Sequence, residues 1–225
     1  MTEKIKAAYD AIADRYDSEY DDPQSVAENE IVKTALIQTT NYSEQIFDAG
    51  CGTGLALRLM PWITAPRYFG VDLSVGMLAR LKAGGHDVAF ARDDAWSEAG
   101  IVRRRRMDSD ALISLFGAPS YAPMGRVLGA TCERRRRFLL MPYAEGTLRY
   151  HEKACHTEQF KDLRYTYSAG LWRGELARRG ARNVQVRGLT LLTPLPAALR
   201  STEYKLLGRL MPDRGRWLVI TGEMP

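Results

Sequence analysis

The chain has 225 residues, 45% hydrophobic and 26% charged, with 32 Lys and Arg against 27 Asp and Glu and a formal net charge of +5. This is globular composition, and it excludes a disordered or collagen-like chain. No apolar run reaches the roughly 18–20 residues of a membrane span. The first residues lack the apolar core of a signal peptide, and three cysteines without CxxC spacing argue against a disulfide framework or a zinc cluster and for a reducing, cytoplasmic setting.

Residues 3–17 read as a helix, because Ile5, Tyr9, Ile12 and Tyr16 recur at three- and four-residue spacing. Asp21-Asp22-Pro23 breaks it, and residues 26–39 read as a second helix with Ile31, Ala35 and Leu36 on one side. The period then changes. Residues 45–48 form a short apolar run ending in glycines, and 54–60 a helix stopped by Pro61. Residues 67–73 read as a strand, and Ser74 caps a helix that runs to 83 and ends at Gly84-Gly85. Residues 88–91, 111–116 and 138–141 read as strands, the middle one apolar throughout and so suited to burial on both faces. A helix over 168–179 closes at Gly180. Two final strands, 184–192 and 217–221, flank a helix over 197–210 and a turn at Pro212-Asp213-Arg214-Gly215.

Short apolar strands alternating with helices predict a mostly parallel sheet covered on both faces. No linker or repeat divides the chain, so one domain over 1–225 is expected, with a helical cap at 1–42 and a core at 43–225. Within that core the polar, irregular segment 143–167 is the candidate lid or substrate loop. The runs Arg103–Arg106 and Arg134–Arg137 could meet phosphates, but each precedes an apolar strand and neither is interleaved with aromatics. A solvated face at a strand start is the simpler reading.

The chemistry concentrates at Asp48-Ala49-Gly50-Cys51-Gly52-Thr53-Gly54, between a predicted strand and a predicted helix. Glycines there allow a sharp turn and the close approach of a ligand to the backbone. The next strand ends in Gly70-Val71-Asp72, eighteen residues beyond Gly54, where a carboxylate is placed to accept from two ribose hydroxyls. The third strand ends in Asp93-Asp94-Ala95-Trp96, an acceptor for an exocyclic amine beside an aromatic able to cover a purine. A carboxylate at Asp48 would repel the pyrophosphate of a dinucleotide but suits an ammonium.

With these residues in place, the sequence resembles the class I S-adenosylmethionine-dependent methyltransferases, particularly the small-molecule N- and O-methyltransferases. The stretches that carry the resemblance are 46–54, Phe69-Gly70-Val71-Asp72-Leu73-Ser74 with Met77-Leu78, Asp93-Asp94-Ala95, and 110–116. The resemblance implies a Rossmann-like, doubly wound, seven-stranded sheet with its last strand antiparallel and an N-terminal helical lid. It implies S-adenosyl-L-methionine as cofactor. Gly50, Cys51, Gly52 and Gly54 would line its methionine part, with Asp48 toward the ammonium. Asp72 would take the ribose, Leu73 and Met77 would wall the adenine, and Asp94, Ala95 and Trp96 would meet its edge. Leu115 and Phe116 would lie near the sulfonium.

The acceptor is the open part. In-line attack on a sulfonium methyl requires a positioned lone pair, and a hydroxyl acceptor usually requires a base as well. His151 is a candidate base, and Tyr16 and Tyr121 are candidates to orient a substrate. Gly117 stands where nucleobase amine methyltransferases carry a side-chain carbonyl, which turns the expectation toward a small metabolite. An RNA acceptor using the arginine runs, or a non-methylating use of the same cofactor, is the alternative. No metal is expected, nor a membrane partner, and the oligomeric expectation is a monomer or homodimer.

Overall fold

Two strands buried along their whole length set the centre of the molecule. In the computed structural model, which describes residues 2–100, 108–132, 136–145, 164–190 and 195–225, β1 (Ile46–Ala49) and β4 (Ala111–Ser114) are buried at every position. They pair in parallel, Asp48 opposite Ile113. Outward from β1 lie β2 (Tyr68–Asp72) and β3 (Ala89–Arg92), and outward from β4 lie β5 (Arg136–Leu140), β7 (Trp217–Met224) and β6 (Arg182–Leu189). The order is β3-β2-β1-β4-β5-β7-β6, with β7 antiparallel between β5 and β6 and every other pairing parallel. This is the expected doubly wound, seven-stranded sheet.

Side chains along the central strands alternate between two apolar layers. Ile46, Ala111, Ile113 and Leu139 face one layer with Val32, Leu36 and Leu81. Phe47, Leu112, Phe138 and Leu140 face the other with Val127, Leu128, Trp172 and Leu176. The first layer is covered by α2 (Pro23–Thr40), α3 (Leu55–Leu59) and α4 (Val75–Ala83), the second by α5 (Met124–Thr131) and α6 (Ala169–Arg178). A last helix, α7 (Arg200–Leu210), packs against α2 and β6. The apolar face of α2, through Ile31, Val32, Ala35 and Leu36, belongs to the same cluster as the strands. Burying such side chains is worth roughly 1.5–3 kcal/mol each.

Most predicted boundaries lie within a few residues of the observed ones, and the differences have local causes. The first helix, expected to reach 17, stops as α1 (Thr2–Ile12), and a single 3-10 turn, Asp17–Tyr20, follows. Asp17 leaves the helical path to accept from the Thr53 hydroxyl at 2.6 Å and from Arg58 at 2.9 Å. Asp22 is the N-cap of α2, accepting from the Gln24 and Ser25 amides at 2.9 and 3.2 Å, with Pro23 following where no donor is needed. The strand expected over 111–116 ends at Ser114, since Phe116 and Gly117 take φ of 38° and 89° and turn the chain.

Of the arginine runs, 103–106 lies outside the described residues, as do Arg134 and Arg135. Arg136 is 3% exposed, so the solvated reading fails there; it opens β5, at the opposite end of the strand from the carboxyl edge of the sheet. Arg137 beside it lies over the Tyr42 ring at 5.5 Å. No described helix is long and apolar enough to cross a membrane.

Candidate functional site

The chain leaves β1 on one side toward β2 and returns to β4 on the other, and a crevice opens where the strand order reverses. Gly50, Gly52 and Gly54 adopt φ of 81°, 54° and 91°, a region other residues enter at a cost. A Cβ on Gly50 would stand 2.5 Å from the Ala118 Cβ. The Gly50 and Cys51 amides donate to the Val71 carbonyl at 2.8 and 3.0 Å, tying the loop to the end of β2.

Asp72 closes β2, and its carboxylate is gripped by backbone. Gly52 N–H donates to Oδ2 at 2.9 Å and Ser74 N–H to Oδ1 at 2.8 Å. Burial raises its pKa, the two amides oppose that rise, and nearby Asp10 adds to it. Asp48 is 1% exposed. Its Oδ2 accepts from the Tyr68 hydroxyl at 2.7 Å, while Oδ1 has no partner among the described residues. Burial pushes its pKa up to about 7, against the Tyr68 bond and with the help of Asp72. The Cys51 thiol between them is driven up by burial and by both carboxylates, which makes it a poor nucleophile.

These groups border one cavity of ≈ 230 Å³. The loop after β3 supplies Asp93, Asp94, Ala95 and Trp96. Asp94 accepts from the Trp96 amide at 3.0 Å, and the Trp96 indole donates to the Ala118 carbonyl at 3.2 Å, joining the loops after β3 and β4. Leu115, Phe116 and Tyr121 enter from beyond β4.

The far wall comes from the N-terminal helices. α1 is pinned across α4: the Asp10 carboxylate accepts from the Ser74 hydroxyl at 2.6 Å and the Gly76 amide at 2.9 Å. Burial alone would raise the Asp10 pKa; Ser74, Gly76 and Lys6 together hold it below its usual value. Tyr9 then reaches Tyr121, hydroxyl to hydroxyl at 3.0 Å with the rings edge to face at 5.9 Å, and Tyr16 packs between Tyr9 and Tyr20 at 6.2 and 5.1 Å. Burial raises the pKa of Tyr9, Tyr16 and Tyr121, so all three remain neutral phenols. Both stems of the segment 143–167 meet next to Tyr121. The Tyr143 amide donates to the Ser120 hydroxyl at 2.8 Å and the Tyr165 amide to the Ser120 carbonyl at 2.7 Å.

Of the residues named from sequence, Tyr16, Asp48, Gly50, Cys51, Gly52, Asp72, Leu73, Met77, Asp94, Ala95, Trp96, Leu115, Phe116 and Tyr121 all line this cavity. Gly54 does not; it is the N-cap of α3, and a Cβ there would face Leu81 and His86. His151 lies outside the described residues, as does 146–163 of the expected lid. Sequence reasoning missed Asp17, Glu28, Asn29, Thr53 and Arg58. For Glu28 a signal was there: it precedes Ile31 and Val32 by three and four residues, so a carboxylate lies on the buried face of an amphipathic helix.

The cavity is acidic in a basic protein. Asp17, Glu28, Asp48, Asp72, Asp93 and Asp94 face it, and the lining cation Arg58 is already paired with Asp17. Such a site repels anions and draws cations. Among the described residues no group of three or more His, Cys, Asp or Glu side chains is placed to hold a metal ion.

Comparison with known proteins gives the fold a place. No protein-family model and no curated protein matches the sequence. Solved structures do match in shape. The protein bound to the Haloferax volcanii Trm112 methyltransferase activator superposes with a TM-score of 0.66 at 20% identity, over 98% of this chain and 97% of that one. The magnesium protoporphyrin IX methyltransferase of Synechocystis, solved with bound S-adenosylhomocysteine, gives 0.63 at 14% identity, over 98% of each chain. A SAM-dependent methyltransferase of Thermotoga maritima gives 0.62 at 12% identity, over 98% and 99%.

Proposed function

Starting from the class I methyltransferase fold of this chain, we propose that it is an S-adenosylmethionine-dependent methyltransferase acting on an amine or hydroxyl of a small metabolite. The observation that carries this reading is Asp48 Oδ1, a buried carboxylate oxygen with no partner among the described residues, at the edge of an acidic cavity. A buried carboxylate is costly unless a positive group meets it. The ammonium of a methionine moiety supplies that group, and a pyrophosphate does not.

The other residues fit the same molecule. The positive-φ turn at Gly50 and Gly52 lets an amino-acid chain lie against the backbone. Asp72, held by two amides, keeps lone pairs for two ribose hydroxyls. Leu73 and Met77 flank the adenine, and Asp94 with Ala95 and Trp96 meets its amine edge. When bound, the cofactor supplies an electrophilic methyl on a positive sulfur. The chain's part is then positioning: Leu115, Phe116 and Tyr121 fix where an acceptor atom can stand, and the tyrosines of α1 and the following turn limit access of water. The acidic lining also disfavours an RNA acceptor, whose phosphates it would repel.

Calorimetric titration with S-adenosylhomocysteine and with NAD separates the readings. Binding of the first and none of the second is expected. NAD binding, or no binding of S-adenosylhomocysteine, overturns the proposal. Methyl-labelled cofactor incubated with fractionated small metabolites then tests for transfer.

A further inference from the structure

We infer that Tyr143 is a positioning residue for the methyl acceptor, acting by holding the Tyr121 hydroxyl at the cavity wall. The inference rests on the methyltransferase reading above and goes beyond it, since Tyr143 does not itself line the cavity.

After β4 the chain turns at Phe116 and Gly117, and the cavity wall passes from Leu115 and Phe116 to Ala118 and Tyr121. Gly117 has φ 89°, and a Cβ there would stand 2.4 Å from Tyr143 Cε2 and 3.0 Å from its Cζ. The hydroxyl-bearing end of that ring therefore fills the space a side chain at 117 would need. The Gly117 amide donates to the Met141 carbonyl at 2.8 Å, and the Tyr143 amide to the Ser120 hydroxyl at 2.8 Å. The turn that carries Tyr121 and the chain that carries Tyr143 are thus tied on both sides of the contact.

Tyr143 is 4% exposed, and its ring is fixed by its neighbours. Trp217 stacks on it at 4.3 Å, and the Arg164 guanidinium lies over it at 4.2 Å. Trp217 in turn meets Phe116 edge-on at 5.3 Å. The Tyr143 hydroxyl bonds to that of Tyr121, which also bonds to Tyr9 at 3.0 Å. Two phenols from separate parts of the chain converge on a third that faces the cavity. Burial raises the Tyr121 pKa; Tyr9, Arg164 and Tyr143 oppose that rise, and Tyr16 adds to it. The wall remains a set of neutral phenols, fit to orient a polar atom and not to take its proton.

Placement decides the rate of an in-line transfer: a shift of about 1 Å at the reacting atoms can cost roughly 100-fold. Leu115, Phe116 and Tyr121 enter the cavity from beyond β4, where the proposed binding mode puts the methyl. A hydroxyl held from two sides offers an acceptor one fixed hydrogen-bonding point in an aromatic wall. Such a network can be worth more than its separate pairs, because each bond polarises the next. Without the Tyr143 hydroxyl, Tyr121 loses the constraint from that side.

Tyr143→Phe separates this role from packing, because it keeps the ring, the Trp217 stack and the Arg164 contact and deletes only the hydroxyl. The full chain is given methyl-labelled S-adenosylmethionine and a serial dilution of the small-metabolite fraction that accepts label with the wild type. The apparent KM for that fraction is expected to rise at least threefold in Tyr143→Phe. S-adenosylhomocysteine affinity should stay within twofold, which also shows the variant folded. In a Tyr121→Phe background the same change should raise KM less than 1.5-fold, because the group it positions has gone. A rise below threefold in Tyr143→Phe overturns the inference. So does a rise of 1.5-fold or more in the Tyr121→Phe background, or a change in S-adenosylhomocysteine affinity beyond twofold. Failure of S-adenosylhomocysteine to bind the wild-type chain, or of label to reach any fraction, overturns the underlying reading instead.

Discussion

The two ends of the cavity are built by different means. At the end formed by the loops after β1, β2 and β3, the backbone does most of the placing: positive-φ glycines, amides gripping Asp72, and a carboxylate at a strand terminus. At the other end, side chains converge from distant parts of the chain. Tyr9 meets Tyr121 across 112 positions, and Glu28 meets Thr190 across 162. Short-range backbone geometry leaves a mark in consecutive residues; long-range convergence leaves almost none. The end we assign to the cofactor is therefore readable from sequence, and the end we assign to the acceptor is not. It follows that damage to one end should be separable from damage to the other.

The largest separable effect is expected at Asp72. On the proposed binding mode, Asp72→Ala removes two charge-assisted hydrogen bonds to the ribose, each worth about 1.5–3 kcal/mol, and it frees the Gly52 amide as well. Calorimetry should show S-adenosylhomocysteine affinity down by tenfold or more. An unchanged affinity would mean that the ribose is held elsewhere and that the division between the ends is drawn in the wrong place.

Gly50 and Gly52 sharpen the backbone half of the comparison. Both have positive φ, but a Cβ at Gly50 strikes Ala118 at 2.5 Å whereas one at Gly52 meets nothing within 4 Å. Gly50→Ala therefore adds overpacking to backbone strain, about 2–3 kcal/mol in total, and Gly52→Ala adds about 1 kcal/mol. At roughly 2–4 °C per kcal/mol for a chain of this size, thermal unfolding should fall clearly further for Gly50→Ala. Equal losses would show that the Ala118 contact yields freely.

This contrast also shows what the sequence conveys. The glycine spacing, Asp48 and Asp72 announce themselves within a single strand–loop–helix unit, and the alternation of apolar runs announces the sheet. Gly54 shares the spacing of the other two, and spacing alone cannot tell a residue facing a ligand from one facing Leu81. The position of Glu28 on the buried face of α2 is legible from its spacing, but its partner is not, because Thr190 follows a strand near the other end of the chain. Periodicity places Asp17 inside a helix, because nothing adjacent discloses its pull toward Thr53 and Arg58.

Asp48 ties stability to pH. Its carboxyl titrates at about 7 in the folded chain against 3.8 for a free group. Between those values the folded state keeps a proton that the unfolded state has lost. The stability this confers is present at low pH and disappears as pH rises through about 7. Asp48→Asn removes that loss, so in the ligand-free protein at pH 8 it should melt above wild type, by more than a single neutral hydrogen bond is worth. Its affinity for S-adenosylhomocysteine should fall, since the charge meant for the ammonium has gone. A variant melting below wild type at pH 8 would show that Oδ1 is satisfied in the free protein.

The smallest expected effect lies at the acceptor end. Tyr9→Phe keeps the ring against Tyr16 and Tyr121 and deletes one hydroxyl, breaking the 3.0 Å bond to Tyr121. A neutral buried hydrogen bond contributes about 1 kcal/mol, so the melting temperature should fall by only about 2–4 °C. S-adenosylhomocysteine affinity should stay within twofold, because Asp10, not Tyr9, pins α1 to Ser74 and Gly76. Acceptor KM should rise, because the Tyr121 hydroxyl loses one of its hydrogen-bond partners at the cavity wall. If cofactor affinity fell together with stability, α1 would be serving both ends at once, and the tyrosine wall would belong to the cofactor site as much as to the acceptor.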